Sequence, residues 1–75
     1  MRRYGNSSGD SGVVAYQTGP DFILVRFQGG TVYKYSAAEA GTAHIATLQA
    51  LAVAGRGLSA YIARHAEQLR GKLRE

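Results

Sequence analysis

Three short runs of β-branched and aromatic residues occupy the first half of the chain. They cover residues 13–16, 22–27 and 31–35, and turn formers separate them: Thr-Gly-Pro-Asp at 18–21 and Gly-Gly at 29–30. Apolar runs bounded by Gly, Pro and Asp are typical of β-strands. Because both connections are short, we predict a three-stranded antiparallel β-meander.

The alternation of side chains decides the register of the second hairpin. A two-residue Gly-Gly turn would divide the apolar residues between the two faces of the sheet. A three-residue loop, Gln28-Gly29-Gly30, instead pairs Val25 with Tyr33 and gathers the apolar residues on one face. We therefore predict the three-residue loop, built as a type I turn plus a bulge with Gly30 in the left-handed region.

This register gives the sheet an apolar face and a basic face. The apolar face carries the residues that alternate toward the core: Ile23, Val25, Phe27, Tyr33 and Tyr35. Tyr33 and Tyr35 could instead stack unpaired bases, but this register favours a core position for both. The outer face carries Leu24, Arg26, Val32 and Lys34, and we expect no aromatic ring on it. A small apolar patch rimmed by positive charge fits three uses: an ordinary half-solvated face, a protein contact, or a polyanion surface.

The pattern becomes helical after residue 35. Ser36 to Glu39 has capping-box spacing, and an alanine-rich stretch follows. Gly41 interrupts it, so we expect a separate first turn with Thr42 as the effective cap. Apolar residues then recur at helical spacing up to Gly55, which suits a left-handed helix end.

A second helix is predicted after the Arg56-Gly57 corner, with Ser59 as its cap. Its apolar residues form one stripe: Leu58, Ile62, Ala66, Leu69 and Leu73. Two helices of this size cannot bury their apolar surface alone, so we expect both to pack on the tyrosine-bearing face of the sheet. The predicted fold class is α+β, a three-stranded antiparallel meander followed by two C-terminal helices.

The length of the chain, 75 residues, leaves room for one domain. We expect a flexible N-terminal lead-in over residues 1–11, where Gly, Ser and Asn dominate. A single α+β domain is predicted over residues 12–70, and a frayed basic end over 71–75.

The composition of the chain excludes several classes of site and bears on its location and partners. The absence of cysteine excludes disulfides and thiolate metal sites. No apolar run approaches the ~20 residues that span a bilayer, and no apolar stretch follows Arg2-Arg3 as a secretory signal requires. We therefore expect a cytoplasmic protein with no membrane partner. The net charge of +4 fits either a nucleic-acid partner or a role in solubility alone.

Several short motifs, in order, resemble one known family. Tyr16 follows an apolar strand, Val25-x-Phe27-x-Gly29 lies in the next, and Tyr33-Lys34-Tyr35 matches a Y-x-Y motif. Near the end, residues 55–62 match a Gly…Phe-Asn-x-x-Ile stretch, with Leu58 in place of the aromatic and Ser59 in place of the asparagine. Over residues 11–65 the chain thus resembles the KTSC family, named after a segment at the C-terminus of some lysyl-tRNA synthetases and also found as small stand-alone bacterial proteins. The resemblance implies a small α+β domain of uncharacterised role, for which RNA binding has been suggested.

Catalytic and metal-binding constellations are not evident in the sequence. The two histidines, His44 and His65, are 21 residues apart, and a zinc site needs at least three protein ligands. The serines fall in lead-in, strand-start and cap positions, where no histidine and carboxylate are evident to activate them. We expect neither an enzyme nor a cofactor, and we interpret the histidines as helix-surface or core-edge residues, either of which could pair with Glu39 or Glu67.

The hypothesis favoured by charge and resemblance is RNA binding, with cations contacting phosphates. The candidate residues are Arg26, Lys34, Arg56 and Arg64. Arg56 lies between two glycines before a helix, which is either a solvated corner or an anion site. The alternative function is a protein-interaction or self-associating module, a homodimer for example, that uses the exposed sheet face or an edge strand.

Overall fold

The computed structural model describes residues 1–5 and 12–74, which form an α+β domain. This part of the chain contains five strands and four helices. The strands are β1 (Arg2–Arg3), β2 (Val13–Thr18), β3 (Phe22–Phe27), β4 (Val32–Ser36) and β5 (Lys72–Arg74). The helices are α1 (Ala37–Ala40), α2 (Thr42–Ala54), α3 (Leu58–Arg64) and α4 (Ala66–Leu69). Each strand is antiparallel to its neighbours, in the order β1-β2-β3-β4-β5.

The predicted three-stranded meander forms the centre of this larger sheet. Two strands were missed, β1 in the expected lead-in and β5 in the expected frayed end. Both are two or three residues long and rich in Arg and Lys, so they show no apolar alternation. They form because the backbone groups along β2 and β4 accept a partner strand. The remainder of the predicted lead-in, residues 6–11, and Glu75 lie outside the described residues.

Tyr4 anchors β1 to the domain. Its side chain is 3% exposed and belongs to the core. Its hydroxyl accepts a hydrogen bond of 3.2 Å from the Leu58 N–H, and its own N–H donates to the Val14 carbonyl at 3.0 Å. The first strand is therefore fixed at both the sheet and the start of α3.

The predicted second helix ends earlier than its apolar stripe suggested. His65 interrupts it with a φ of −118°, and α4 stops before Arg70, which takes a left-handed φ of 51°. At Gly71 the chain passes against the Tyr35 ring, so close that an added Cβ would lie 2.3 Å from a ring carbon. Leu73 consequently falls in β5, 61% exposed, and is not part of the helical stripe.

The predicted register of the second hairpin is confirmed. Val25 pairs with Tyr33, and the Phe27 N–H donates to the Thr31 carbonyl at 2.8 Å across a three-residue loop. The turn type is different from the prediction. Gly29 has a φ of 92° as well as Gly30 at 95°, and a positive φ at the third residue of the turn is a type II feature.

A β-bulge in β2 explains a spacing that strict alternation does not produce. Val13 pairs with Phe27 and Ala15 with Arg26, so Val14 is an extra residue. The bulge turns both Val13 and Tyr16 toward the core, where they are 1% and 5% exposed.

The core lies between the inner face of the sheet and the helices. Six large side chains are fully buried, three from β2 and β3 and three from helices: Val13, Ile23, Val25, Leu48, Leu58 and Leu69. Gly41 separates α1 from α2 with a φ of 93° and is itself the N-cap residue of α2. The prediction that Thr42 would be the cap is therefore wrong. Ser36 is the N-cap residue of α1, as its spacing predicted, but its side chain makes no capping hydrogen bond. The first N–H of α1, on Ala37, donates instead to the Asp21 carbonyl at 2.8 Å.

One side chain of α2 holds the turn between β2 and β3. Gln49 Nε2 donates to the Gly19 carbonyl at 2.8 Å and to the Phe22 carbonyl at 2.9 Å. The Phe22 carbonyl also accepts from the Gly19 N–H at 2.9 Å. Gln49 thereby fixes the start of β3 against the helical layer. None of the helices in the described ranges is both long and apolar enough to cross a membrane.

Candidate nucleic-acid interface

Arginines from three strands line up across the outer face of the sheet. Arg3 pairs with Ala15, Ala15 with Arg26, Arg26 with Val32 and Val32 with Arg74. Directly paired residues present their side chains on the same face. The row therefore alternates arginine with a small or apolar residue. Two strand spacings place neighbouring arginine Cα atoms about 10 Å apart.

A second row, two residues further along the strands, adds two lysines. Here Gln17 pairs with Leu24, Leu24 with Lys34 and Lys34 with Lys72. The two rows are about 7 Å apart along the strands. We call the resulting surface the cationic face and define it by its five charged residues: Arg3, Arg26, Lys34, Lys72 and Arg74.

The cationic face is open to solvent. The buried side chains of α2, α3 and α4 belong to the core on the opposite face of the sheet, so these helices do not cover it. Lys34 is half-buried and the other four cations are exposed. Glu39 reaches the face at one corner, where its Oε2 lies 3.7 Å from Lys72 Nζ. An ion pair this exposed is worth little in water and leaves Lys72 available to an anion.

The four cations expected from the sequence do not converge on one surface. Arg26 and Lys34 belong to the cationic face. Arg56 lies in the corner between α2 and α3, and Arg64 ends α3, so both are exposed on the helical layer. The structure instead joins Arg26 and Lys34 with cations from the two ends of the chain. The sequence signal for these, Arg-Arg at 2–3 and Lys-Leu-Arg at 72–74, was too short to indicate strands.

Phe22 places an aromatic ring beside the cationic face, where the sequence predicted none. It pairs with Ser36 and is the first residue of β3, one row beyond Leu24 and Lys34. Lys34 Nζ lies 5.1 Å from the centroid of the ring, within the range of a cation–π interaction. The ring is half-buried because one side rests on the backbone of Gly19, where an added Cβ would lie 2.1 Å from Cε2.

The two tyrosines of the Y-x-Y motif face the core. Tyr35 is 3% exposed and Tyr33 is half-buried, with ring centroids 6.4 Å apart. Phe27 packs edge-on against Tyr33 at 5.9 Å. Burial, with a smaller contribution from Tyr33, raises the pKa of Tyr35 to about 12. These rings therefore belong to the packing of the inner face and are not arranged as a platform for bases.

The two histidines meet at the junction of α2, α3 and α4. Tyr61 links them: its hydroxyl lies 2.6 Å from His44 Nδ1, and its ring centroid is 4.3 Å from that of His65. The two imidazole centroids are 5.2 Å apart. Each histidine thus contacts Tyr61 and the other imidazole. Within the described residues there is no group of three or more His, Cys, Asp or Glu side chains that could hold a metal ion. We interpret the cluster as packing between helices.

No protein-family model matches the chain, and no curated protein or solved structure is significantly similar to it. These comparisons therefore assign no chemistry to the candidate site, and its geometry is the main observation. That geometry presents five cations on one open sheet face, with one aromatic ring at its margin.

Proposed function

We propose that the domain binds RNA by its sugar-phosphate backbone, using the cationic face. The observation that supports this proposal is the convergence of five cations from four of the five strands on one face that no described helix covers. Contacts to phosphates need only cations at suitable spacing, whereas reading a sequence needs donors and acceptors directed at base edges. The neutral residues between the cations are mostly apolar: Ala15, Leu24 and Val32. We therefore expect binding with little base specificity. The resemblance to the KTSC family points in the same direction.

The size of the cationic face sets the expected salt dependence. Binding of a single strand loses about 0.7 log units of affinity per tenfold rise in salt for each phosphate neutralised. If all five cations engage phosphates, the slope is about −3.5. The affinity then falls about 100-fold between 50 and 200 mM salt.

The test compares two double variants that remove the same charge from different surfaces. Arg26→Gln with Arg74→Gln takes two charges from the cationic face, and Arg56→Gln with Arg64→Gln takes two from the helical layer. Binding of a fluorescent RNA is measured by anisotropy between 50 and 200 mM salt. We expect the first pair to reduce the slope to about −2 and the second to leave it near −3.5. Equal losses in both pairs would mean that binding follows net charge, which contradicts the proposal.

The alternative, self-association through the sheet, has less support from the structure. A second copy laid on the cationic face would oppose five cations with five cations, and like charges placed opposite each other destabilise a contact. Pairing through an edge is disfavoured as well, because β1 and β5 are short and basic. Measuring the mass of the protein in solution at high salt, where this repulsion is screened, tests the alternative. A dimer under those conditions would support self-association.

A further inference from the structure

Phe22 occupies an unusual position, because a large aromatic ring stands at the margin of a charged, open surface. Its Cα lies two residues along β3 from Leu24, which pairs with Lys34. The Lys34 ammonium group is 5.1 Å from the ring centroid. An aromatic surface and a cation that reaches a phosphate therefore lie within the span of one nucleotide.

The position of Phe22 is fixed before any ligand binds. The ring rests on Gly19, and the Phe22 carbonyl accepts hydrogen bonds from both the Gly19 N–H and Gln49 Nε2. A ring held in this way loses little conformational entropy when a ligand covers it. Lys34, in contrast, has a flexible stem, so its ammonium group can move from the ring to a phosphate.

We propose, on the basis of the RNA-binding function above, that Phe22 and Lys34 form a stacking site for one unpaired base, so that the preferred ligand is single-stranded. An unpaired base can lie on the Phe22 ring while Lys34 contacts the adjoining phosphate. In the interior of a duplex, each base is stacked between its neighbours and cannot reach the ring. The cationic face supplies the general attraction, and Phe22 supplies the preference for unpaired RNA.

The test uses the full chain and two ligands, a ten-nucleotide single-stranded RNA and a blunt ten-base-pair RNA duplex. Phe22→Leu removes the aromatic surface and Phe22→Tyr retains it. Phe27→Leu is the matched control, because the same substitution falls on the inner face of the sheet. Circular dichroism of each variant confirms that it is folded. Affinity is measured by anisotropy, and the ring protons of Phe22 are followed by NMR.

We expect Phe22→Leu to weaken binding of the single strand by five- to 100-fold, the usual loss for one base–aromatic stack. Its affinity for the duplex should not change. Phe22→Tyr and Phe27→Leu should each stay within about twofold of the original chain, and single-stranded RNA should shift the Phe22 ring protons upfield. If both ligands bind equally and Phe22→Leu has no effect, the stacking site is wrong while the cationic face stands. If neither RNA binds at 50 mM salt, both proposals are wrong.

Discussion

Replacing Gln49 tests whether one side chain holds the turn at the start of β3. Its amide group donates to two carbonyl oxygens, those of Gly19 and Phe22, at 2.8 and 2.9 Å. Because carbonyl oxygens only accept, the NH₂ end of the amide must face them. Two substitutions separate volume from hydrogen bonding. Gln49→Leu keeps similar bulk without a donor, and Gln49→Glu keeps the shape but turns an ionised acceptor toward two acceptors.

The expected loss of stability depends on which carbonyl oxygens each substitution leaves without a hydrogen-bond donor. Gln49→Leu removes two hydrogen bonds, although the Phe22 carbonyl keeps the one from the Gly19 N–H. We expect a loss of about 1–2 kcal/mol in the free energy of unfolding. Gln49→Glu adds repulsion between its carboxylate and the two carbonyl oxygens, so we expect a loss of about 2–3 kcal/mol at pH 7. At pH 4 much of the carboxyl is protonated and donates again, and the two variants should become similar in stability.

Urea unfolding followed by circular dichroism, at pH 7 and pH 4, measures these differences. For a protein of this size, 1 kcal/mol shifts the urea midpoint by about 1 M or somewhat less. Gln68→Glu is the matched control, because Gln68 is exposed on α4 and should stay within about 0.5 kcal/mol of the original chain. The reasoning is refuted if Gln49→Glu is as stable as Gln49→Leu at pH 7, because the amide would then not act as a donor.

Two further predictions concern Tyr35 and the chain that crosses it. Gly71→Ala should lower the free energy of unfolding, measured by thermal unfolding, by about 1–3 kcal/mol, because its Cβ would overlap the Tyr35 ring. Gly12→Ala is the control, because the space around its Cβ is open and its stability should not change. Equal effects of the two substitutions would contradict the close approach of Gly71 to Tyr35. Tyr35 has a pKa of about 12 in the folded chain, against about 10 when unfolded, so the folded state favours its protonated form. The free energy of unfolding should therefore fall by about 2 kcal/mol between pH 10 and pH 12. Tyr35→Phe should abolish that part of the loss. If the original chain and Tyr35→Phe lose stability in parallel over this range, ionisation of Tyr35 is not the cause.

The centre of the sheet was predictable because β3 and β4 are long enough for alternation to be read. With five or six alternating residues in each strand, only one register gathers the apolar side chains on one face. That register pairs Val25 with Tyr33, and the structure has it. The edges were not predictable on the same basis. Lys-Leu-Arg at 72–74 is shorter than two periods of alternation, and its leucine continued a helical stripe. The close approach of Gly71 to Tyr35, which ends that stripe, depends on tertiary contact.

The candidate site was predictable to the same extent as the strands that carry it. Arg26 and Lys34 follow from the register, because each alternates with a core residue. Arg3 and Arg74 join them only through pairing between strands that are distant in sequence. Phe22 was assigned to a strand, but its place on the outer face was overlooked. Alternation with Ile23 was a sufficient signal, since neighbouring residues on a strand point to opposite faces.

The late position of β5 in the chain has a consequence for how the domain assembles. The pairs β2–β3 and β3–β4 join segments that are close in sequence, whereas β4 and β5 are separated by all four helices. Contacts between distant segments close a longer loop and form more slowly. We therefore expect β5 to dock last during folding, which pulsed hydrogen exchange of its amides would detect. Since Lys72 and Arg74 arrive with β5, a partly folded chain would attract polyanions less strongly than the finished domain.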